Sequence, residues 1–282
     1  MGTFIEILKA ILIGIVQGIT EWLPVSSTGH MILVNEFVKL NVSDAFFEFF
    51  EVFVQFGSIL AVIVLFFDKL NPFSKAKDAS MKKKTWSLWL RVIVAVLPAA
   101  IIGLPLDDWF QAHFYNYVSV AVALIVYGVL FIVIERVNKN KAKKYEDVYD
   151  IDYPTAVKIG CFQVLSIIPG TSRSGSTILG ASIVGVSRTA AAEFSFFMAI
   201  PVMLGASAYK GLKFALKYGG AFSSTELIVL IVGTLTAFFV SLFVIKFLMN
   251  FVKKHSFEPF GWYRTALAAV VIVYFLLKTF VF

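Results

Sequence analysis

The sequence predicts an all-α polytopic membrane protein built as an inverted-topology repeat. Each half is a re-entrant helix-turn-helix hairpin followed by three transmembrane helices, giving six full spans and two re-entrant hairpins. Three observations predict this. The 282 residues are 59% hydrophobic and 15% charged, with a mean hydropathy of +0.84. Several apolar runs reach the roughly 20 residues needed to cross a bilayer. Two polar stretches interrupt apolar segments at equivalent places in the two halves, 21–30 and 169–177. Such a composition excludes a soluble globular domain.

The net charge of +7 is concentrated in loops, which indicates membrane topology and no nucleic-acid partner. Cys161 is the single cysteine, so neither an internal disulfide nor a thiolate metal cluster can form. The histidines are His30, His113 and His255, too few for a His-rich metal site. Glu6 and Lys9 interrupt the first apolar run, and a cleaved signal peptide is not expected.

The first repeat covers 1–150. Its hairpin, 4–40, begins with an apolar helix over 4–23 that ends at Pro24, because proline disfavours helix in the residue before it. A polar turn, Ser26–His30, and a short apolar helix over 31–40 follow. A broken segment of this kind is tolerated in a membrane only where protein or a wet cavity satisfies its backbone. Spans are expected at 44–67, 86–106 and 116–135, with Pro98 as a kink and an acidic loop beginning at Asp107. The second repeat, 151–282, has its hairpin at 155–186, broken at Pro169, and spans at 188–210, 226–249 and 261–282. Ser187 is the expected cap of the first of these.

The halves echo each other at a common offset. Pro24 and Pro169 stand 145 positions apart, as do Glu48 and Glu193; Gly14 and Gly160, and Gln17 and Gln163, stand 146 apart. Three spans per half invert the second half, which places a functional site near the midplane where the repeats meet. The basic loops at 69–84 and 136–144 flank successive spans and so share one side. The positive-inside rule makes that side cytoplasmic. The first hairpin then enters from outside and the second from the cytoplasm.

The polar stretches carry the chemistry. Small residues at Pro24–His30 let backbone N–H groups converge on an anion, and the following helix adds its positive end. Ser26, Ser27, Thr28 and Gly29 line that turn, with hydroxyl donors and a candidate nucleophile. His30, three residues after Ser27, is a candidate acid or base. Gln17 and Glu21 share a helix face at i, i+4, where the carboxylate can bind a cation or orient His30. In the second stretch Arg173 offers a fork matched to phosphate oxygens, among Gly170, Thr171, Ser172 and Ser174. A Ser/Thr/Gly cluster can also serve helix packing. Two of them at equivalent positions, carrying Glu, His and Arg, favour one shared phosphate-handling site.

At these residues the sequence resembles the undecaprenyl-diphosphate phosphatases, also called bacitracin-resistance proteins. That family carries an (E/Q)xxxE segment followed by PVSSTGH and later PGTSRSGST; here these stand as Gln17–Glu21, Pro24–His30 and Pro169–Thr177. The resemblance covers essentially the whole chain. It implies a multi-pass enzyme of the bacterial plasma membrane, its site open to the outer face. The implied reaction takes undecaprenyl diphosphate to undecaprenyl phosphate and inorganic phosphate, recycling the cell-wall lipid carrier and conferring bacitracin resistance. It also implies a divalent cation, Mg2+ or Ca2+. The first position of the pair is Gln17, so Glu21 is the main acid of any metal site. In this reading Ser27 is the nucleophile, His30 activates it, Glu21 orients His30 or holds the metal, and Arg173 clamps the diphosphate. Ser26, Thr28, Gly29, Gly170, Thr171, Ser172 and Ser174 cradle oxygens. Direct attack by water stays open, as does a homodimer. The expected partners are the polyprenyl diphosphate and membrane lipid. The inverted repeat keeps a second class in view, a transporter or flippase of a polyprenyl phosphate. Acid-phosphatase-like lipid phosphatases are disfavoured, because the next histidine after Arg173 is His255, on another loop.

Overall fold

The computed structural model describes residues 2–218 and 222–280. The helices are α1 (Gly2–Thr20), α2 (Ser27–Phe37), α3 (Asp44–Leu65), the short α4 (Phe67–Leu70), α5 (Ala79–Phe114) and α6 (Tyr117–Val137). The second half contributes α7 (Tyr153–Val164), α8 (Arg173–Ile183), α9 (Arg188–Tyr218), α10 (Ser224–Val252) and α11 (Glu258–Phe280). Among the described residues the only β feature is an isolated bridge between Tyr145 and Val186. The chain is an all-α polytopic membrane protein.

Seven of these helices are long and apolar enough to cross a membrane. Six are the expected spans. The seventh is α1, the first arm of the hairpin expected to be re-entrant, and at 19 residues it has the necessary length. Its counterpart α7 has only 12 residues. The last expected span is α11; its final residues, 281–282, lie outside the described residues.

Helix limits follow local chemistry. Side chains of Ser43, Asn116 and Asp152 accept from the backbone N–H groups of Phe46, Ser119 and Thr155 and start α3, α6 and α7. Asp152 sits in a loop, where hydrogen bonds from Thr155 and Tyr145 hold its carboxyl down to about 2. Ser187 caps α9 as expected, accepting from Ala190 N–H. One expectation fails: α5 runs unbroken for 36 residues through Pro98 and Pro105. The acidic stretch at Asp107 is therefore helix rather than loop. In a bilayer, neighbouring helices can re-satisfy the groups a proline frees, so proline does not end the helix.

Packing pairs the two halves. α1 lies along α10, α7 along α5, α3 along α9, and α6 along α11. Small residues set two of these contacts. A Cβ on Gly14 would stand 2.7 Å from the carbonyl oxygen of Gly233, and one on Gly160 would overlap the carbonyl of Ala95. α1 and α10 run in the same direction, because Thr3 meets Thr225 near their starts and Ser241 donates to the Gly18 carbonyl near the tip of α1. The basic connections gather at one end. Lys69 pairs with Glu193, Arg136 with Glu258 and Arg188 with Glu135, and Tyr149 donates to the Lys69 carbonyl.

Candidate active site

Both polar stretches fold the same way. Ser26 and Ser172 are the N-caps of α2 and α8, accepting from Gly29 N–H at 3.3 Å and Gly175 N–H at 3.1 Å. They are also the only non-glycine residues with positive φ among those described, at 73° and 68°. An L side chain in that region is strained. The same strain at the same position of both hairpins means each tip is held in shape by its surroundings. Ser27 and Thr28 thus begin a helix instead of forming a turn, and α2 starts earlier than the 31 that the sequence predicts. A serine cap, absent from the propensity of the residues around it, explains the difference.

The tips meet through one ion pair. Arg173, the first residue of α8, reaches Glu21 at 3.1 Å and donates a second bond to the Ser195 carbonyl at 2.8 Å. Gln17 donates to the other Glu21 oxygen at 2.8 Å, as their spacing predicts. The Ser174 hydroxyl lies within 3.3 Å of the carbonyls of Glu21 and Leu23, tying α8 to the first tip. Trp22 is fully buried, packed edge-on against Phe196 and lying under Arg173.

His30 sits apart from this pair. One ring nitrogen, Nδ1, lies 2.7 Å from the Ser26 carbonyl. The other, Nε2, lies 2.7 Å from the Tyr263 hydroxyl, and the two rings are stacked. His30 makes no hydrogen bond to Ser27 or to Glu21. The expected Ser27–His30 and Glu21–His30 contacts are therefore absent from this arrangement, because the first turn of α2 points Nδ1 back at its own cap. A carbonyl can only accept, so Nδ1 carries a proton and Nε2 is the free basic nitrogen when the ring is neutral. The half-buried hydroxyls of Ser27 and Thr28 have no hydrogen-bond partner among the described residues. Those of Ser26 and Ser174 are committed to capping and to the Glu21 and Leu23 carbonyls, and the Ser172 hydroxyl caps Gly175 and contacts Ser174. Gly170 has φ +92°, and a Cβ there would press on the Val120 backbone at 2.7 Å, so the second tip requires glycine.

Two residues were not singled out from the sequence. Tyr263 faces His30, and Arg264 is wholly buried. Arg264 donates to the carbonyls of Pro24 (3.2 Å), Gly170 (2.9 Å) and Thr171 (3.1 Å), one guanidinium on both tips. A charge inside an otherwise apolar span was the available signal. Buried donors Trp22 Nε1, Arg173 Nε and Arg264 Nε, with the whole amide of Gln163, lack protein partners. Beside the tips, an apolar groove of about 350 Å³ runs from His30 and Tyr263 past Leu23 and Val25 to Phe251 and Phe260. Among the described residues no three His, Cys, Asp or Glu side chains cluster as a metal cage.

The chain is similar to curated relatives over nearly its full length. It is 56% identical to the undecaprenyl-diphosphatase of Enterococcus faecalis, covering 97% of this chain and 99% of the relative. With the undecaprenyl-diphosphatase of Acetivibrio thermocellus the identity is 56%, over 96% and 98%. With undecaprenyl-diphosphatase 1 of Clostridium acetobutylicum it is 54%, over 97% and 98%. The family described as bacitracin resistance protein BacA matches residues 10–270, and the chain belongs to that family.

Proposed function

We infer that this chain is an undecaprenyl-diphosphate phosphatase, releasing inorganic phosphate and leaving undecaprenyl phosphate for reuse in cell-wall synthesis. The observation that carries this, beside the kinship, is the Glu21–Arg173 contact between two serine-capped helix starts. Phosphoryl transfer depends on positioning and on stabilising charge at the phosphoryl oxygens, and helix starts with a guanidinium supply both.

In the step we envisage, Ser27 Oγ attacks the terminal phosphorus. The bond from that phosphorus to the bridging oxygen breaks, and undecaprenyl phosphate leaves with the electron pair. The hydroxyl proton passes to His30 Nε2, whose tautomer the Ser26 carbonyl fixes; Tyr263 yields its place as substrate arrives. Water then hydrolyses the phosphoserine. Arg173 steadies the phosphoryl charge, and Thr28 with the backbone N–H groups of Gly170 and Ser172 contacts oxygens, those of Gly29 and Thr171 being held by the Ser26 hydroxyl and the Ile168 carbonyl. In the alternative route water attacks directly.

The family resemblance implies a divalent cation, Mg2+ or Ca2+. Glu21 and Gln17 would hold such a cation once Arg173 and the Gln17 amide leave the two carboxylate oxygens they occupy here, with its remaining ligands from diphosphate and water, the usual Mg2+ arrangement. Bound there, it would neutralise phosphate charge. EDTA is expected to stop phosphate release and added Mg2+ or Ca2+ to restore it.

The inverted repeat is supported by the helix pairing, since exchanging the halves turns the α1–α10 contact into α7–α5. Opening to the outer face is supported by the basic loops gathering at the opposite end. The apolar groove suits the prenyl chain. Both tips come from one chain, so this reading requires no homodimer.

Phosphate release from a long-chain polyprenyl diphosphate by detergent-purified protein tests the reading. Arg173→Ala is expected to lower kcat by about 10²–10³, and Ser27→Ala to abolish turnover on the phosphoserine route. Release that survives both substitutions contradicts it.

A further inference from the structure

We propose that Arg264 is a positioning residue that charges the site, and that the substrate diphosphate is its missing counterion. The proposal rests on the phosphatase reading above.

Arg264 is 0% exposed, and a guanidinium keeps its charge in such a place. Its three hydrogen bonds end on neutral carbonyls, those of Pro24, Gly170 and Thr171. The Tyr127 ring lies 5.4 Å away and supplies a π face without a full negative charge. Among the described residues no carboxylate pairs with it, and Glu21, the carboxylate of the tips, is taken by Arg173. Its Nε has no partner.

The surroundings add charge of the same sign. A Cβ on Gly175 would stand 3.3 Å from Arg264 Nη1, so the guanidinium lies against the first turn of α8. That turn is the positive end of a helix, worth about half a charge. Taken together, two guanidinium groups and two helix starts are set against one carboxylate, an excess of about two positive charges. Neutral donors could hold three carbonyls equally well. A charged one is costly to bury unpaired, and an arriving diphosphate reverses that cost. Its charge comes from the residue that also fixes both tips, so binding and geometry are set together.

The test compares full-length wild type, Arg264→Gln and Arg264→Lys in detergent. Gln keeps N–H donors for carbonyls and drops the charge; Lys keeps the charge and loses the fork. Thermal unfolding is followed with and without inorganic pyrophosphate, and KM and kcat are measured on a polyprenyl diphosphate. Wild type is expected to be stabilised by pyrophosphate. Arg264→Gln should melt no lower than wild type without ligand and lose most of the pyrophosphate shift. Its KM should rise about tenfold, with kcat within about threefold, the pattern of lost uniform binding. Arg264→Lys should melt lower yet retain the pyrophosphate shift and a KM within about threefold. This second variant decides the matter if Arg264→Gln does not fold.

A lower melting temperature for Arg264→Gln with unchanged pyrophosphate shift and KM would make Arg264 a neutral staple and overturn the proposal. So would wild type indifferent to pyrophosphate, or an Arg264→Lys protein that loses the shift. A wild type that binds pyrophosphate through Arg264 but hydrolyses no polyprenyl diphosphate would sink the phosphatase reading and leave the charge proposal standing.

Discussion

At the residue scale, the Glu21–Arg173 pair is the join between the halves. Both side chains are at most 10% exposed. Removing one partner from a buried pair leaves an uncompensated charge and costs about 3–5 kcal/mol. Glu21→Ala should therefore lower thermal stability as well as activity, whereas Glu21→Gln, which still accepts from Arg173, should lower activity with a smaller loss of stability. Melting curves of the two variants check this, and equal melting temperatures would argue that the pair bears no load. His30 makes a separate prediction. The Tyr263 hydroxyl occupies Nε2 in the resting arrangement, so Tyr263→Phe should leave a working base and cost far less than His30→Ala, for which a loss of about 10²–10⁴ in kcat is expected. Steady-state kinetics of both variants decide it. Glu21, Ser27, His30 and Arg173 were legible in the sequence because polar groups are conspicuous among apolar ones. Arg264 and Tyr263 were not, because nothing within the last span says that its charge faces two turns more than 90 residues away.

At the element scale, two short helices begin at strained serines. Ser172 has φ 68° and caps Gly175. Alanine there loses the cap, about 1 kcal/mol, and keeps the strain. Glycine loses the cap and relieves the strain, so Ser172→Gly should melt higher than Ser172→Ala. The reverse order would mean that the positive φ is not strained. Helix contacts make the complementary point. Gly160 packs against the Ala95 carbonyl so closely that a Cβ has no room, and Gly160→Ala should push α7 away from α5 and destabilise the protein, measured by its unfolding temperature. The Gly14–Gly160 correspondence was legible as a repeat offset. The caps were read as turns, because a polar cluster after proline looks like a break, and only the backbone bond to Gly29 or Gly175 makes it a helix start. Likewise the sequence ends the second span at 106 and begins an acidic loop at Asp107, where the structure continues one helix to Phe114.

At the scale of the whole molecule, pairing across the halves brings the tips together. The basic connections meet at one end through Lys69–Glu193 and Arg136–Glu258, as counting spans from the sequence requires. Seven helices are long and apolar enough to cross where six spans were expected, the seventh being α1, the arm that the sequence reads as dipping. Length follows from the apolar run, but the depth of the break depends on what α1 lies against. That partner is α10, more than 200 residues away. Orientation has its own test. Single cysteines at 76 and 141, in a chain whose Cys161 is replaced, should label only from the cytoplasm, and one at 41 only from outside. Labelling with the sides exchanged would invert the proposed topology.

The central claim, that the two tips form one site, is tested most directly by a double-mutant cycle on kcat/KM for phosphate release, using His30→Ala, Arg173→Lys and the combination. Residues that act as a unit are far from additive. The double variant should be only slightly worse than the worse single one. Losses that multiply, as for two independent sites, would contradict the claim.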